Sequence, residues 1–124
     1  MPQDMKIPGP DHPITIAPNP KRVRVTFNGR VLADTRRALT LREATYPAVQ
    51  YIPRTDLDMA LFQRTAHATH CPYKGDASYF TLAVDGRVSE NAAWSYEAPY
   101  PVMAEIRECL AFYPSRVEGI EEIG

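Results

Sequence analysis

The chain has 124 residues, 44% of them hydrophobic, with 14 basic against 15 acidic side chains. That length suits one domain with an ordinary core, and the near-balance of charge excludes nucleic-acid binding by bulk electrostatics, which needs a marked basic excess. Twelve prolines point to β structure with many turns, and no apolar run approaches the about 20 residues that span a membrane.

Residues 1–14 read as a proline-rich lead-in, followed by a single domain over 15–124. Its N-terminus, Met1 to Lys6, has no apolar stretch of the signal-peptide kind, and the chain has only two cysteines, so a cytoplasmic, reducing setting is expected. His12 lies in the lead-in and reads as a solvated histidine. Ala17-Pro18-Asn19-Pro20 continues it as surface chain.

Val23 to Phe27 alternates apolar and polar residues, the period of a half-buried strand. Asn28-Gly29 follows as a two-residue hairpin turn, and Val31-Leu32-Ala33 returns. Ala38 to Glu43 predicts a third strand, with Leu39 and Leu41 on one face. Arg36-Arg37, in the connection, is either a solvated turn or an anion contact. Tyr46 to Pro53 is a strand bounded by prolines, hence at an edge or capped at both ends. Thr55 and Asp58 predict a capped helix start carrying Leu57, Leu61 and Phe62 inward.

Thr69 to Phe80 holds the densest chemistry: a thiol, an imidazole, a phenol, an ammonium and a carboxylate fall within seven residues, and Pro72 and Gly75 bend the backbone among them. Ser78 to Val84 is a strand, Asp85-Gly86 a second tight turn, and Arg87 to Glu97 the return. Counting from that turn places Tyr79 and Phe80 opposite Asn91 and Ala92, with Trp94 and Tyr96 near Tyr73 to Ala77. Pro101 to Arg107 predicts a second short helix, with proline at its start. Leu110 to Tyr113 and Val117 to Ile120 close the chain as strands. The sum is a mainly β domain of about eight short strands and two short helices.

The runs Tyr51-Ile52-Pro53-Arg54-Thr55-Asp56, Thr69 to Tyr79, Ala93-Trp94-Ser95-Tyr96 and Ala111-Phe112-Tyr113-Pro114 resemble the bacterial and fungal family called domain of unknown function 427. The resemblance covers nearly the whole chain, roughly residues 15 to 120. It implies a β-tent-like fold, grouped with selenoprotein R-type methionine sulfoxide reductases and Mss4-like proteins, and it brings a nucleotidyltransferase label. The zinc-bearing members of that group hold their metal with paired Cys-x-x-Cys knuckles. This chain has none, so a structural Cys₄ zinc cannot be built.

The residues themselves leave several chemistries to weigh. His67, His70, Cys71 and Cys109 make a poor metal set on an extended backbone, where neighbouring side chains diverge, and no metal or cofactor is expected. Cys71 reads as a packed thiol sooner than as a nucleophile. Lys74-Gly75-Asp76 lacks the Walker spacing, yet Tyr73, Ser78 and Tyr79 surround it with hydroxyls. The expected site is a pocket for a small anionic or nucleotide-like molecule, lined by Arg54, His70, Tyr73, Lys74, Asp76, Trp94 and Tyr96. In an enzyme, Lys74 would stabilise anionic charge and Asp76 or His70 would move protons. The competing expectation is a non-catalytic interaction module, with the aromatics and prolines serving packing or homodimer contact.

Overall fold

Two short turns do what their residue types require. Asn28 and Gly29 sit at φ 50° and 73°, Asp85 and Gly86 at 49° and 83°. These left-handed pairs match the twist of the strands they join. The first joins β2 (Arg22–Phe27) to β3 (Arg30–Thr35), the second β7 (Gly75–Val84) to β8 (Arg87–Ser95).

The computed structural model describes residues 5–124. Among them ten strands form three antiparallel sheets. One contains β1 (Ile14–Pro18), β4 (Leu39–Glu43) and β5 (Val49–Tyr51) in that order. The second has the order β10-β2-β3, with β10 spanning Gly119–Ile123. The third runs β6-β7-β8-β9, with β6 at Phe62–Cys71 and β9 at Leu110–Phe112.

The four-stranded sheet is buried on both faces through alternation along β7. Phe80, Leu82 and Val84 join the larger core cluster with Val23, Val25 and Phe27 of β2. Ala77 and Tyr79 join the smaller cluster with Leu41, Tyr51, Met103 and Ile106. A period-2 strand presents successive side chains to opposite faces, so each flanking sheet receives one set.

The mainly β expectation holds, with differences in detail. Instead of two α-helices there are four 3₁₀ turns, at Arg54–Asp56, Met59–Leu61, Pro101–Ile106 and Pro114–Arg116. Thr55 caps nothing: Pro53 begins the first turn, and Leu57, at φ −120° and ψ 145°, ends it. Asp58 instead caps the second turn, accepting from the Ala60 amide at 3.1 Å. Each of these two turns is too short to nucleate an α-helix.

Two strands go beyond the eight expected. Ile14–Pro18, predicted as surface chain, pairs with β4 as an edge strand, where prolines are tolerated. The polar β6 pairs with β7 as the edge of its sheet; exposed over most of its length, it carries no apolar period to betray it. Of the lead-in, residues 1–4 and the signal-peptide expectation attached to them lie outside the described residues. Lys6 donates its amide to the Pro72 carbonyl at 2.8 Å, tying the lead-in to the β6–β7 turn. No described helix is long and apolar enough to cross a membrane.

The β7–β8 register also differs from the two-residue count. Opposite the Phe80–Leu82 step of β7, β8 carries two extra residues between Ser89 and Ala93, a bulge at which Asn91 takes φ 49°. Its amide donates to Thr81 Oγ1 at 3.1 Å. The bulge advances β8, so Trp94 comes opposite Tyr79 and Ala93 opposite Phe80.

Candidate functional site

The smaller core cluster opens to solvent between β4–β5 and the four-stranded sheet. There a cavity of about 230 Å³ is walled by Leu41, Tyr46, Pro47, Val49, Tyr51, Tyr79, Trp94, Tyr96 and Tyr113, with Lys74 and Glu43 as its charged groups. Trp94 leans on Tyr113 with centroids 4.5 Å apart, and its indole N–H donates to the Tyr51 hydroxyl at 3.2 Å. The Tyr79 hydroxyl bridges the Thr69 and Tyr113 hydroxyls at 3.0 and 3.3 Å. Burial raises the pKa of Tyr51 and Tyr96 well above the ordinary phenol value. Burial, with the hydrogen bond to Tyr79, pushes Tyr113 up to about 12. The phenols therefore stay neutral donors and acceptors at physiological pH.

Lys74 is the site's cation. It sits in the three-residue turn between β6 and β7, next to Gly75. Gly75 takes φ 111°, in the region that disfavours side chains, and a Cβ there would lie 3.5 Å from the Pro99 Cα. That turn brings the lysine inward. Its side chain is 8% exposed and pairs with Glu43, itself 14% exposed. Nζ also lies 3.8 Å from Cys71 Sγ and 6.0 Å from the Tyr96 ring centroid. An ammonium has three donors, and Glu43 occupies only one of them fully.

Glu43 binds two partners, Lys74 and the His12 imidazole, the latter at 2.7 Å. Burial pushes its carboxyl up, but these two hydrogen bonds outweigh burial and hold it below the usual carboxylate range. His12 stacks on Tyr73, centroids 4.2 Å apart and planes within 6°. The expectation of a solvated His12 is thus corrected: pairing with β4 draws the segment before β1 onto the site. His12 and Glu43 are the residues that sequence reasoning missed. Glu43 left a signal, because alternation puts it on the inward face with Leu39 and Leu41.

The sheet divides the expected site residues. Lys74, Trp94 and Tyr96 line the cavity, and Tyr73 supports it through His12. Arg54, His70 and Asp76 are directed elsewhere. Arg54 reaches the opposite face, donating to Ser95 Oγ at 3.1 Å and Glu97 Oε2 at 3.3 Å, with its guanidinium over Phe80. Asp76 is exposed and pairs with His70 Nδ1 at 2.7 Å. The even-numbered positions of β7 face away from Tyr79, so Asp76 leads out of the pocket, whereas Lys74, in the turn before β7, lies outside that alternation.

The other chemistries also have definite places. Cys71 and Cys109 are both free thiols; Cys71 is half-buried beside Lys74, and burial raises the Cys109 pKa. His70 meets Asp76 and not Cys71. Arg37 is taken up by Asp56. Among the described residues no three His, Cys, Asp or Glu side chains converge as a metal site would require.

A family model described as Domain of unknown function (DUF427) matches residues 15–123. No curated protein matches the chain.

Proposed function

The chain belongs to the DUF427 family, whose description assigns no activity, and from the geometry of its pocket we propose that it binds a small ring-bearing anion there. The observation that carries this reading is the buried Lys74, paired with the largely enclosed Glu43 and set beneath aromatic walls. A buried ion pair gives a fold little that apolar residues of similar volume would not. What it does give is a fixed ammonium with donor capacity left over, facing a concave apolar surface.

Tyr79, Trp94 and Tyr96 offer ring faces and edges for stacking. The Lys74 ammonium meets a carboxylate, phosphate or acceptor atom of the ligand. Ligand pockets usually run from about 300 Å³ upward, so a cavity of about 230 Å³ takes one ring and one small polar group. A nucleotide-like ligand would insert its base and leave its sugar and phosphate outside. Asp76 and His70, on the other side of the sheet, take no part in this reading. The carboxylate at the pocket is Glu43, with the His12 imidazole behind it at 2.7 Å. The two free thiols suit a reducing compartment.

The chain's one tryptophan, Trp94, reports the test. Titration with 4-hydroxybenzoate, and separately with adenosine monophosphate, is expected to quench Trp94 emission and raise the melting temperature, more strongly for the benzoate. In the double variant Lys74→Gln/Glu43→Gln, which retains polar contact without charge, the response to benzoate is lost while the domain still unfolds cooperatively. If neither probe changes emission or melting at millimolar concentration, the binding reading fails. A dimer in size-exclusion that Trp94 substitutions break would then support the interaction module.

A further inference from the structure

A second, larger cavity lies next to the pocket and has a different character. It measures about 660 Å³ and shares Tyr46, Pro47, Val49 and Trp94 with the Lys74 pocket. Its floor is core: Val25, Ile52 and Phe112 are each no more than 4% exposed. β5 and β10 stand on either side, and each is the edge strand of its own sheet.

One end of this cleft is tied. Asn19, 5% exposed, donates its side-chain amide to Gln50 Oε1 of β5 at 3.0 Å and to Glu122 Oε1 of β10 at 2.8 Å. The other rim carboxylate, Glu118, accepts from the Gly29 amide at 3.1 Å and from Arg87 at 2.9 Å. Gln50 Oε1, Glu122 Oε1 and both Glu118 oxygens thus have partners within the protein, and what faces the empty volume is mainly hydrocarbon. The two rim carboxylates also repel an anionic head, which leaves Lys74 as the place for that charge.

We infer that the Lys74 pocket and the β5–β10 cleft form one composite site for an amphipathic anion, its charged ring at Lys74 and an apolar chain running past Trp94 into the cleft. The inference rests on the ring-anion reading above and adds the ligand class to it. Each methylene placed on the apolar floor leaves water, and full burial strengthens binding by about fourfold per group. The cleft is open on one side, so a smaller gain, about two- to threefold per group, is expected until the chain reaches the Asn19 tie.

A series of 4-alkoxybenzoates, from methoxy through butoxy to octyloxy, tests this by calorimetry on the full chain. The expected result is an affinity that climbs with chain length and then levels off. Ile120→Asp, which puts a charge on the cleft wall away from Lys74, should flatten the climb while leaving methoxybenzoate binding unchanged. The native-protein slope stands alone if that variant does not fold. Equal affinity across the series, with methoxybenzoate still bound, overturns the composite site and spares the Lys74 reading. No binding by any member overturns both. A climb that persists undiminished in Lys74→Gln/Glu43→Gln shows a hydrophobic cleft without a charged head site and also overturns the inference.

Discussion

Two histidine–carboxylate pairs in this domain have the same 2.7 Å separation and opposite settings. His12–Glu43 lies at the pocket, with the carboxylate 14% exposed and a lysine as its second partner; His70–Asp76 lies on the surface, with the carboxylate 75% exposed. Distance does not distinguish them. Water does: the exposed pair is screened and worth little, while the largely buried carboxylate has given up much of its hydration and depends on its two partners, Lys74 and His12.

The sharpest way to break the comparison is to remove the lysine from the pocket setting. Lys74→Met leaves the largely enclosed Glu43 carboxylate with the His12 hydrogen bond alone, and a loss of about 3–5 kcal/mol in urea unfolding is expected from removing one partner of such a pair. Adding Glu43→Leu to make the pair apolar should restore most of it. If Lys74→Met costs less than about 1 kcal/mol, the pair behaves as a surface bridge and the contrast disappears.

Acid gives the next effect. Glu43 titrates below its unfolded value, so its contribution is fully present above the ordinary carboxylate range and is lost as pH falls through its depressed pKa. The hydrogen bonds of Arg22 and Arg37 depress Asp34 and Asp56 in the same direction. The Arg22–Asp34 pair lies at the exposed surface and is screened at about 0.5 M salt, while Asp56, 19% exposed and also bonded to Thr35, contributes equally to the native protein and to a Glu43 variant. Unfolding midpoints measured in that salt from neutral pH downward should show an acid decline that Glu43→Gln reduces. An equal decline in both proteins would remove Glu43 from the account. The smallest effect belongs to the surface pair: Asp76→Asn should change stability by under about 0.5 kcal/mol and leave 4-hydroxybenzoate binding unchanged. A loss of binding in that variant would return Asp76 to the site.

Local features were legible in the sequence where one short stretch determines them. Asn28-Gly29 and Asp85-Gly86 named their turns, and the alternation of Trp94 and Tyr96 put both on one wall with Lys74 close by. What stayed hidden depends on distant partners. Glu43 lies 31 positions from both His12 and Lys74, and no local pattern ties the three. The bulge at Asn91 moved Trp94 opposite Tyr79, because a positive φ at an asparagine inside a strand leaves no periodic mark. Arg54 was grouped with Lys74 by charge alone. Its place on the far face follows from Ser95 and Glu97, which alternate with Trp94 and Tyr96.

The tie between Asn19 and Glu122 spans 103 positions, and β10 pairs with β2 along the same route. During synthesis, β2 and its hairpin partner β3 emerge early with one ladder edge unfilled. They must wait for Gly119–Ile123 before their sheet is complete. Contacts of such long separation are formed late and lower the folding rate, since the connecting chain loses its freedom before the pairing energy is gained. Until then the floor of the cleft, Val25 above all, is open to other chains, so this domain's most aggregation-prone interval is the delay between making its second strand and its tenth.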